Sequence, residues 1–336
     1  MKGFIYHGPG NITMEELELP ACGDNDVILK NIAAGVCGSD VAAYKHDGDS
    51  VYIWKEHEFG HEMVSEVVEV GKNVEGLAVG DRVYPFPITC KGTHMRAATV
   101  GGFSEYVHVP NCQLGVSVFK VDDSISNKAA AMIEPFTVGG HSAKICNPGP
   151  GKNAVVFGAG IIGMCAFEYL KSQGVKNVVV ADINPSRLEK AEKAGAITFN
   201  TAEGNMKEFL TEKFGLNFSM TLGMVPDVDV YIDAAGVGSL INEAMGMIKS
   251  GAQITILAVH HKPVELDMVS LMYNNVGVKG SCMFSHEDIL EAIDILSKDH
   301  SIAERMISHE IPFENAEEAF KIADNADISL KVMIVE

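Results

Sequence analysis

Residues 154–182 read AVVFGAGIIGMCAFEYLKSQGVKNVVVAD, and the reading of the fold starts there. Residues 154–157 are a short apolar run bounded by loop residues. Gly158-Ala159-Gly160-Ile161-Ile162-Gly163 follows at once, and apolar residues at helical spacing carry on to Gln173, where Gly174 ends the helix. In such a turn Gly158 permits the sharp bend and Gly160 lets the backbone approach a pyrophosphate. Gly163 lets helix pack on strand, and Ile161 and Ile162 open the helix at its positive end. Residues 177–181 supply a second strand, which Asp182 ends, 19 residues beyond Gly163. A carboxylate there can accept hydrogen bonds from the ribose hydroxyls of NAD. In a chain with 33 glycines the GxGxxG pattern alone is weak. Strand before, helix after and an acid ending the next strand make it specific, against the alternative of an ordinary turn with no ligand.

Downstream, helix and strand keep alternating. Pro185 suits the first turn of the next helix, and Arg187 lies on it. Residues 228–232 read as a strand ending at Asp233-Ala234-Ala235-Gly236, residues 239–249 as a helix and residues 253–259 as a further strand. This is a doubly wound parallel sheet, whose ligand lies beyond the carboxyl ends of the strands. Ala235, Gly236 and Ala258 therefore join Gly158, Gly160, Ile161, Ile162, Gly163, Asp182 and Arg187 as cofactor-binding candidates. Residues 1–110 differ: short runs with frequent turns, such as 1–7, 26–34 and 64–70, read as a β-rich region.

Composition limits the function. With 336 residues the chain can hold two domains, and its 47% hydrophobic and 21% charged residues are those of a globular protein. A net charge of −19 speaks against a nucleic-acid partner, since nothing basic is concentrated enough to neutralise phosphates. Seven scattered cysteines give no disulfide framework, no signal peptide is read, and no apolar run approaches a membrane span. The expected location is the reducing cytoplasm, away from the membrane.

His57-Glu58-Phe59-Gly60-His61 satisfies HExxH, the pattern of zinc peptidases. That pattern works on a helix. Here Gly60 interrupts it, the following MVSEVVEVG alternates as a strand, and no third ligand follows at the peptidase spacing. A better metal reading joins Cys37 and His61 with the carboxylates Glu62 and Glu134, because thiolate, imidazole and carboxylate oxygen suit Zn²⁺.

GVCGSD (35–40), GHE (60–62), VEVGKNVEGLAVGDRV (68–83), GGFSEYV (101–107), IEPFTVGGH (133–141) and FGAGIIG (157–163) resemble, in the same order, motifs of the zinc-containing medium-chain dehydrogenase/reductases of the alcohol dehydrogenase superfamily. The resemblance spans nearly the whole chain, and IEP most resembles the sorbitol and butanediol dehydrogenase branch. It implies an α/β architecture of two domains, a GroES-like β-rich catalytic domain (1–147 and 283–336) and an NAD-binding Rossmann domain (148–282). It implies one catalytic zinc on Cys37, His61 and a glutamate, with Glu62 and Glu134 both open as the third ligand, and Ser39 as the proton-accepting hydroxyl. It also implies a homo-oligomer, dimer or tetramer.

Two departures matter. Between Arg82 and Gly101 only Cys90 stands, with His94 nearby, so the family's structural zinc on four cysteines has no ligands here. Ala42 stands where relatives have a relay histidine, and His46 reads as a loop residue in solvent. The activity implied is hydride transfer between NAD and a secondary alcohol, a polyol or vicinal diol, giving a ketone. A polyol phosphate or threonine is the alternative within the family. Outside it stand a non-catalytic dinucleotide-binding protein and the discounted metallopeptidase.

Overall fold

The computed structural model describes residues 1–90 and 100–336. Contacts divide the chain into two units, Met1–Glu134 with Ser285–Glu336, and Pro135–Phe284. No helix among the described residues is long and apolar enough to cross a membrane.

The first unit opens with β1 (Lys2–Gly8), β2 (Asn11–Glu16) and β3 (Val27–Gly35), followed by α1 (Gly38–Lys45), the short β4 (His57–Glu58), β5 (Glu62–Val70), β6 (Arg82–Pro85), β7 (Tyr106–Val109), β8 (Val118–Lys120) and α2 (Asn127–Ala130). HExxH is therefore not helical. His57 and Glu58 lie in a strand, and Gly60 has φ +88°. β5 is buried on both faces from Glu62 to Ser65 and then alternates toward Val70, as befits a strand whose first half is covered on both sides. Beneath its start sits a triad of fully buried rings, Phe59, Phe103 and Phe320, with centroids 5.0–5.5 Å apart. Such ring pairs add about 0.5–1.5 kcal/mol each beyond simple area burial.

The chain leaves this unit along α3 (Ile133–Lys144). The division by contacts falls at Glu134, inside α3, whose later residues pack with the second unit. A Cβ on Gly139 would lie 2.6 Å from Cys165 Cβ, and one on Gly140 would lie 2.9 Å from the Tyr169 ring.

The second unit follows as β9 (Asn153–Phe157), α4 (Ile161–Ser172), β10 (Asn177–Asp182), α5 (Pro185–Lys193), β11 (Ile197–Asn200), α6 (Met206–Phe214), β12 (Leu216–Ser219), β13 (Gly223–Pro226), β14 (Val230–Asp233), α7 (Gly238–Met245), β15 (Gln253–Ile256), α8 (Met268–Asn274) and β16 (Gly277–Gly280). Its sheet has the order β11-β10-β9-β14-β15-β16, all parallel. That is the doubly wound order of a Rossmann domain. Three segments depart from the sequence reading. β15 stops at Ile256, because the amides of Leu257 and Ala258 both turn to donate to the Asp233 carbonyl. β16 and the β12–β13 hairpin lie in segments to which the sequence reading assigned no strand.

The chain then returns to the first unit with α9 (His286–Lys298), α10 (Ser301–Met306), β17 (Ile307–Pro312), α11 (Ala316–Ala323) and β18 (Lys331–Val335). There β18 pairs with both β17 and β3, giving the path β17-β18-β3-β5-β6-β8, with β7 also on β3. β2, β1 and β4 form a separate three-stranded sheet.

Candidate functional site

Cys37 is the N-cap of α1. Its amide donates to Asp40 Oδ2 at 2.9 Å, a reciprocal cap that fixes the turn carrying the thiol. Two residues on, Ser39 lies half-buried in the first turn of the same helix, while His46 is exposed at its end.

His61 and Glu62 are placed by a glycine interlock. The amide of Gly102 donates to Gly60 O at 3.0 Å and that of Phe103 to Phe59 O at 3.1 Å. A Cβ on Gly102 would come within 2.8 Å of Gly60 C, and one on Gly60 within 2.7 Å of the Phe103 ring. The GHE and GGF motifs are thus two sides of one backbone contact, which only glycine permits.

Together these segments bring Cys37, His61 and Glu62 to one place, with one ligand atom from each lying within 4.8 Å of the others. This is the one such cluster among the described residues. Glu134, also a ligand candidate, is not part of it, although its charge reaches both His61 and Tyr84. Cys90 donates to Phe86 O at 3.5 Å, and His94 lies outside the described residues. None of the seven cysteines is in a disulfide.

The pocket carries more buried polar atoms than it can pair. Asp40 Oδ1, His61 Nδ1 and Glu62 Oε1 are each buried with no hydrogen-bond partner. Buried polar groups are normally paired, so three orphans around one thiol are an observation that a cation would explain. Burial pushes the Asp40 carboxyl up to about 6, against the pull of His61. It pushes Glu134 up to about 7, and the Glu62 charge adds to this. At His61 burial acts downward, but Cys37, Asp40 and Glu134 outweigh it and hold the imidazole well above its usual range. A soft thiol, an imidazole and a carboxylate make a donor set that fits Zn²⁺, since three protein ligands are the set a catalytic zinc uses.

In the second unit the glycine turn is built as its sequence demands. Gly158 has φ +99°, and a Cβ on Gly163 would lie 1.9 Å from Gly158 O. Gly160, the N-cap of α4, is different. A Cβ there would meet only the Arg187 guanidinium at 3.8 Å, so the space over this glycine is left by the fold rather than filled by it. Ile161 and Ile162 form the first turn of α4. Asp182 Oδ2 accepts from Ala159 N at 2.7 Å and Oδ1 from Asn184 N at 2.8 Å, so the acid braces the turn. Arg187 Nε and Lys190 Nζ are buried nearby on α5 without partners.

Asp233 does the same at the end of β14. It is fully buried, and its Oδ1 accepts from the amides of Ala235 and Gly236 at 3.1 and 3.0 Å, while Oδ2 meets His260 Nε2 at 2.5 Å. Ala258 N bonds the Asp233 carbonyl at 2.9 Å. Ala235, Gly236 and Ala258 are thereby collected around one aspartate at the carboxyl end of the sheet.

Residues 23–123 match the alcohol dehydrogenase GroES-like domain and residues 162–298 the zinc-binding dehydrogenase family. Sorbitol dehydrogenase of Mus musculus is 31% identical over 350 residues, covering 98% of this chain and 94% of the relative. This chain belongs to the medium-chain zinc alcohol dehydrogenase superfamily. The dehydrogenase superposes on 2R,3R-butanediol dehydrogenase from Bacillus subtilis with a TM-score of 0.86 at 25% identity, covering 100% and 99% of the two chains. It superposes on an alcohol dehydrogenase from Escherichia coli CFT073 complexed with NADH with a TM-score of 0.85 at 27% identity, covering 100% and 99%.

Four residues of the dehydrogenase's sites carried no assigned role in the sequence reading. Asp40 was visible inside CGSD. Asp233 was visible only as the end of a strand. Lys331, a lone cation in the apolar run KVMIV, was a legible anomaly, because a buried strand seldom holds a lysine without a partner. Nothing in the sequence marked His260.

Proposed function

We propose that this dehydrogenase interconverts a secondary alcohol, of polyol or vicinal-diol type, and the corresponding ketone, using one zinc and NAD(H). The observation that carries the reading is the Cys37–His61–Glu62 set, in which His61 Nδ1 and Glu62 Oε1 are buried and unpaired, as is Oδ1 of Asp40, the residue that caps the Cys37 turn. The likeness to sorbitol and butanediol dehydrogenases supports the substrate class.

Cys37, His61 and Glu62 would hold the metal, with Glu134 standing by. Bound zinc supplies Lewis-acid polarisation of the substrate hydroxyl, and bound NAD supplies the hydride acceptor. The remaining steps fall to the chain. Asp40 holds the Cys37 amide and so fixes the turn that carries the thiol, while its buried, unpaired Oδ1 adds negative charge toward His61. Ser39 Oγ receives the substrate's hydroxyl proton and, being only half-buried, hands it toward solvent.

In the second unit the space over Gly160 admits the pyrophosphate at the N-terminus of α4. Gly158, Ile161, Ile162 and Gly163 shape that turn. Ala235, Gly236 and Ala258 form the floor at the end of the sheet, and Arg187 flanks the Asp182 end. Each Asp182 oxygen has one backbone donor and a lone pair to spare, so it can still accept from ribose hydroxyls. A 2′-phosphate would instead meet a like charge, which favours NAD over NADP.

The test is an NAD⁺-reduction screen over polyols, vicinal diols, threonine and polyol phosphates with purified enzyme. Turnover is expected with a polyol or vicinal diol. Turnover confined to a polyol phosphate or to threonine would overturn the substrate class, and no reduction with any alcohol would overturn the activity.

A further inference from the structure

Lys331 is 1% exposed, in the core of a unit whose other buried charges are mostly carboxylates around the metal pocket. Its Nζ donates to Glu62 Oε2 at 2.5 Å and to the carbonyl of Val36 at 3.0 Å. Val36 N in turn donates to Val332 O at 2.9 Å. The residue immediately before Cys37 is therefore clamped at both its amide and its carbonyl to the head of β18. One lysine ties together the two segments that carry the thiol and the carboxylate.

The sheet makes a lane for this contact. Gly35 stands opposite Met333 on β18 and opposite Glu62 on β5. A Cβ on Gly35 would lie 2.3 Å from Glu62 Oε2 and 3.4 Å from Lys331 Cδ, so only glycine in the central strand lets the lysine reach the carboxylate. The φ of Gly35 is not positive, so its requirement is space and not backbone conformation. With Oε2 taken by Lys331, Glu62 has its other oxygen, Oε1, buried and unpaired.

We propose that Lys331 is a positioning residue for the metal: by anchoring Glu62 through Oε2 and Cys37 through Val36, it presents Oε1 as a single ligand oxygen and offsets one negative charge of the pocket. This rests on the reading of Cys37, His61 and Glu62 as zinc ligands. It explains why an isolated lysine occupies a buried strand, since a buried charge is tolerated only when paired.

The test measures zinc, not turnover. Holoenzyme is mixed with a chromogenic chelator and the half-time of zinc release is followed for the parent, Lys331→Met, Lys331→Arg and Gly35→Ala. Lys331→Met should release zinc about 10–100-fold faster, the range typical for partners of metal ligands. Lys331→Arg should restore most of the parental half-time. Gly35→Ala keeps both charges but closes the lane, and should follow Lys331→Met. Cobalt-substituted Lys331→Met should also show shifted d–d bands as Glu62 turns. A folded Lys331→Met that holds zinc as long as the parent overturns the proposal, as does equal loss in Lys331→Met and Lys331→Arg. If Lys331→Met fails to fold, Gly35→Ala decides, and parental zinc retention there refutes the positioning role. A parent enzyme that takes up no zinc would refute the reading of the site itself and this role with it.

Discussion

The metal pocket and the dinucleotide end of the parallel sheet are both built on aspartates and glycines, but they satisfy their charges differently. At the carboxyl end of the parallel sheet, every oxygen of Asp182 and Asp233 already has a partner, a loop amide or, for Asp233 Oδ2, His260, and the space over Gly160 is preformed. In the pocket, Asp40, His61 and Glu62 each keep a buried atom without a partner, and burial drives Asp40 and Glu134 up. The two aspartates at the sheet end are paired by the protein itself, whereas the Cys37–His61–Glu62 cluster keeps buried polar atoms that the protein leaves unpaired, as a site awaiting a cation would. The loss of a side chain should therefore be graded at the first site and drastic at the second.

Removing the thiol is the most severe way to test that contrast. Cys37→Ala should lose its zinc and on the order of 10³-fold or more in kcat, since a Lewis acid supplies several kcal/mol of transition-state stabilisation. Elemental analysis of the parent should find one zinc per chain, and two tightly held ions would reveal a further site. The metal-free protein should keep its circular dichroism spectrum, because two sizeable cores do not depend on the ion. A zinc-free Cys37→Ala that turns over at the parental rate would remove the metal from the chemistry.

Ser39→Ala comes next, with kcat expected to fall about 10²–10⁴-fold while zinc content and NAD affinity hold. His46→Ala should change little, because that ring is exposed at the end of α1. A large loss for His46→Ala, restored by concentrated buffer, would move the relay to the histidine.

At the dinucleotide end, Asp182→Ala should raise the KM for NAD⁺ and narrow the preference over NADP⁺ by about tenfold, a graded effect because the amides of Ala159 and Asn184 each lose one acceptor while the turn keeps its glycines. Parental NADP⁺ efficiency equal to that of NAD⁺ would break the argument.

The smallest effect belongs to a carboxylate as well satisfied as Asp182 but remote from either ligand. Asp26 accepts from Asn111 N at 3.0 Å and meets His108 Nε2 at 2.9 Å, contacts that hold its pKa below the usual carboxylate value. A depressed folded pKa contributes stability above the unfolded value of about 3.9, and that stability is lost as pH falls through the folded one. Asp26→Asn should therefore cost at most about 1 kcal/mol at pH 7 and nothing in strong acid, read from urea midpoints at the two pH values. An equal cost at both would show packing, not charge, at work.

How much of this was legible follows the same division. Residues 154–182 announce their site because strand, turn, helix and acid are contiguous, and local sequence specifies local structure. The metal pocket draws on positions 37, 61, 62 and 331, and periodicity cannot say which distant segments share a sheet lane. Family likeness supplied Cys37, His61 and the two glutamates. Neither spacing nor likeness separated Glu62 from Glu134, and what separates them in space is the register of β3, β5 and β18. The end of β15 was misjudged for a similar reason. Its apolar run continues past Ile256, and the Asp233 carbonyl that turns it aside comes from a neighbouring strand.

The bond between Lys331 and Glu62 also sets an order of events during synthesis. The two residues are 269 positions apart, and at roughly 5–20 residues per second Glu62 leaves the ribosome about 15–50 s before its partner exists. The whole of Pro135–Phe284 is made in that interval as one uninterrupted stretch and can fold while the chain grows. The unit carrying the pocket cannot close until β18 slides in between β17 and β3. A nascent chain stalled before residue 331 would thus present a finished dinucleotide fold beside an open sheet with a bare carboxylate at its centre. The Glu62 carboxylate gains its buried cation only once residue 331 has been made, so a cluster held in its folded arrangement cannot precede that step.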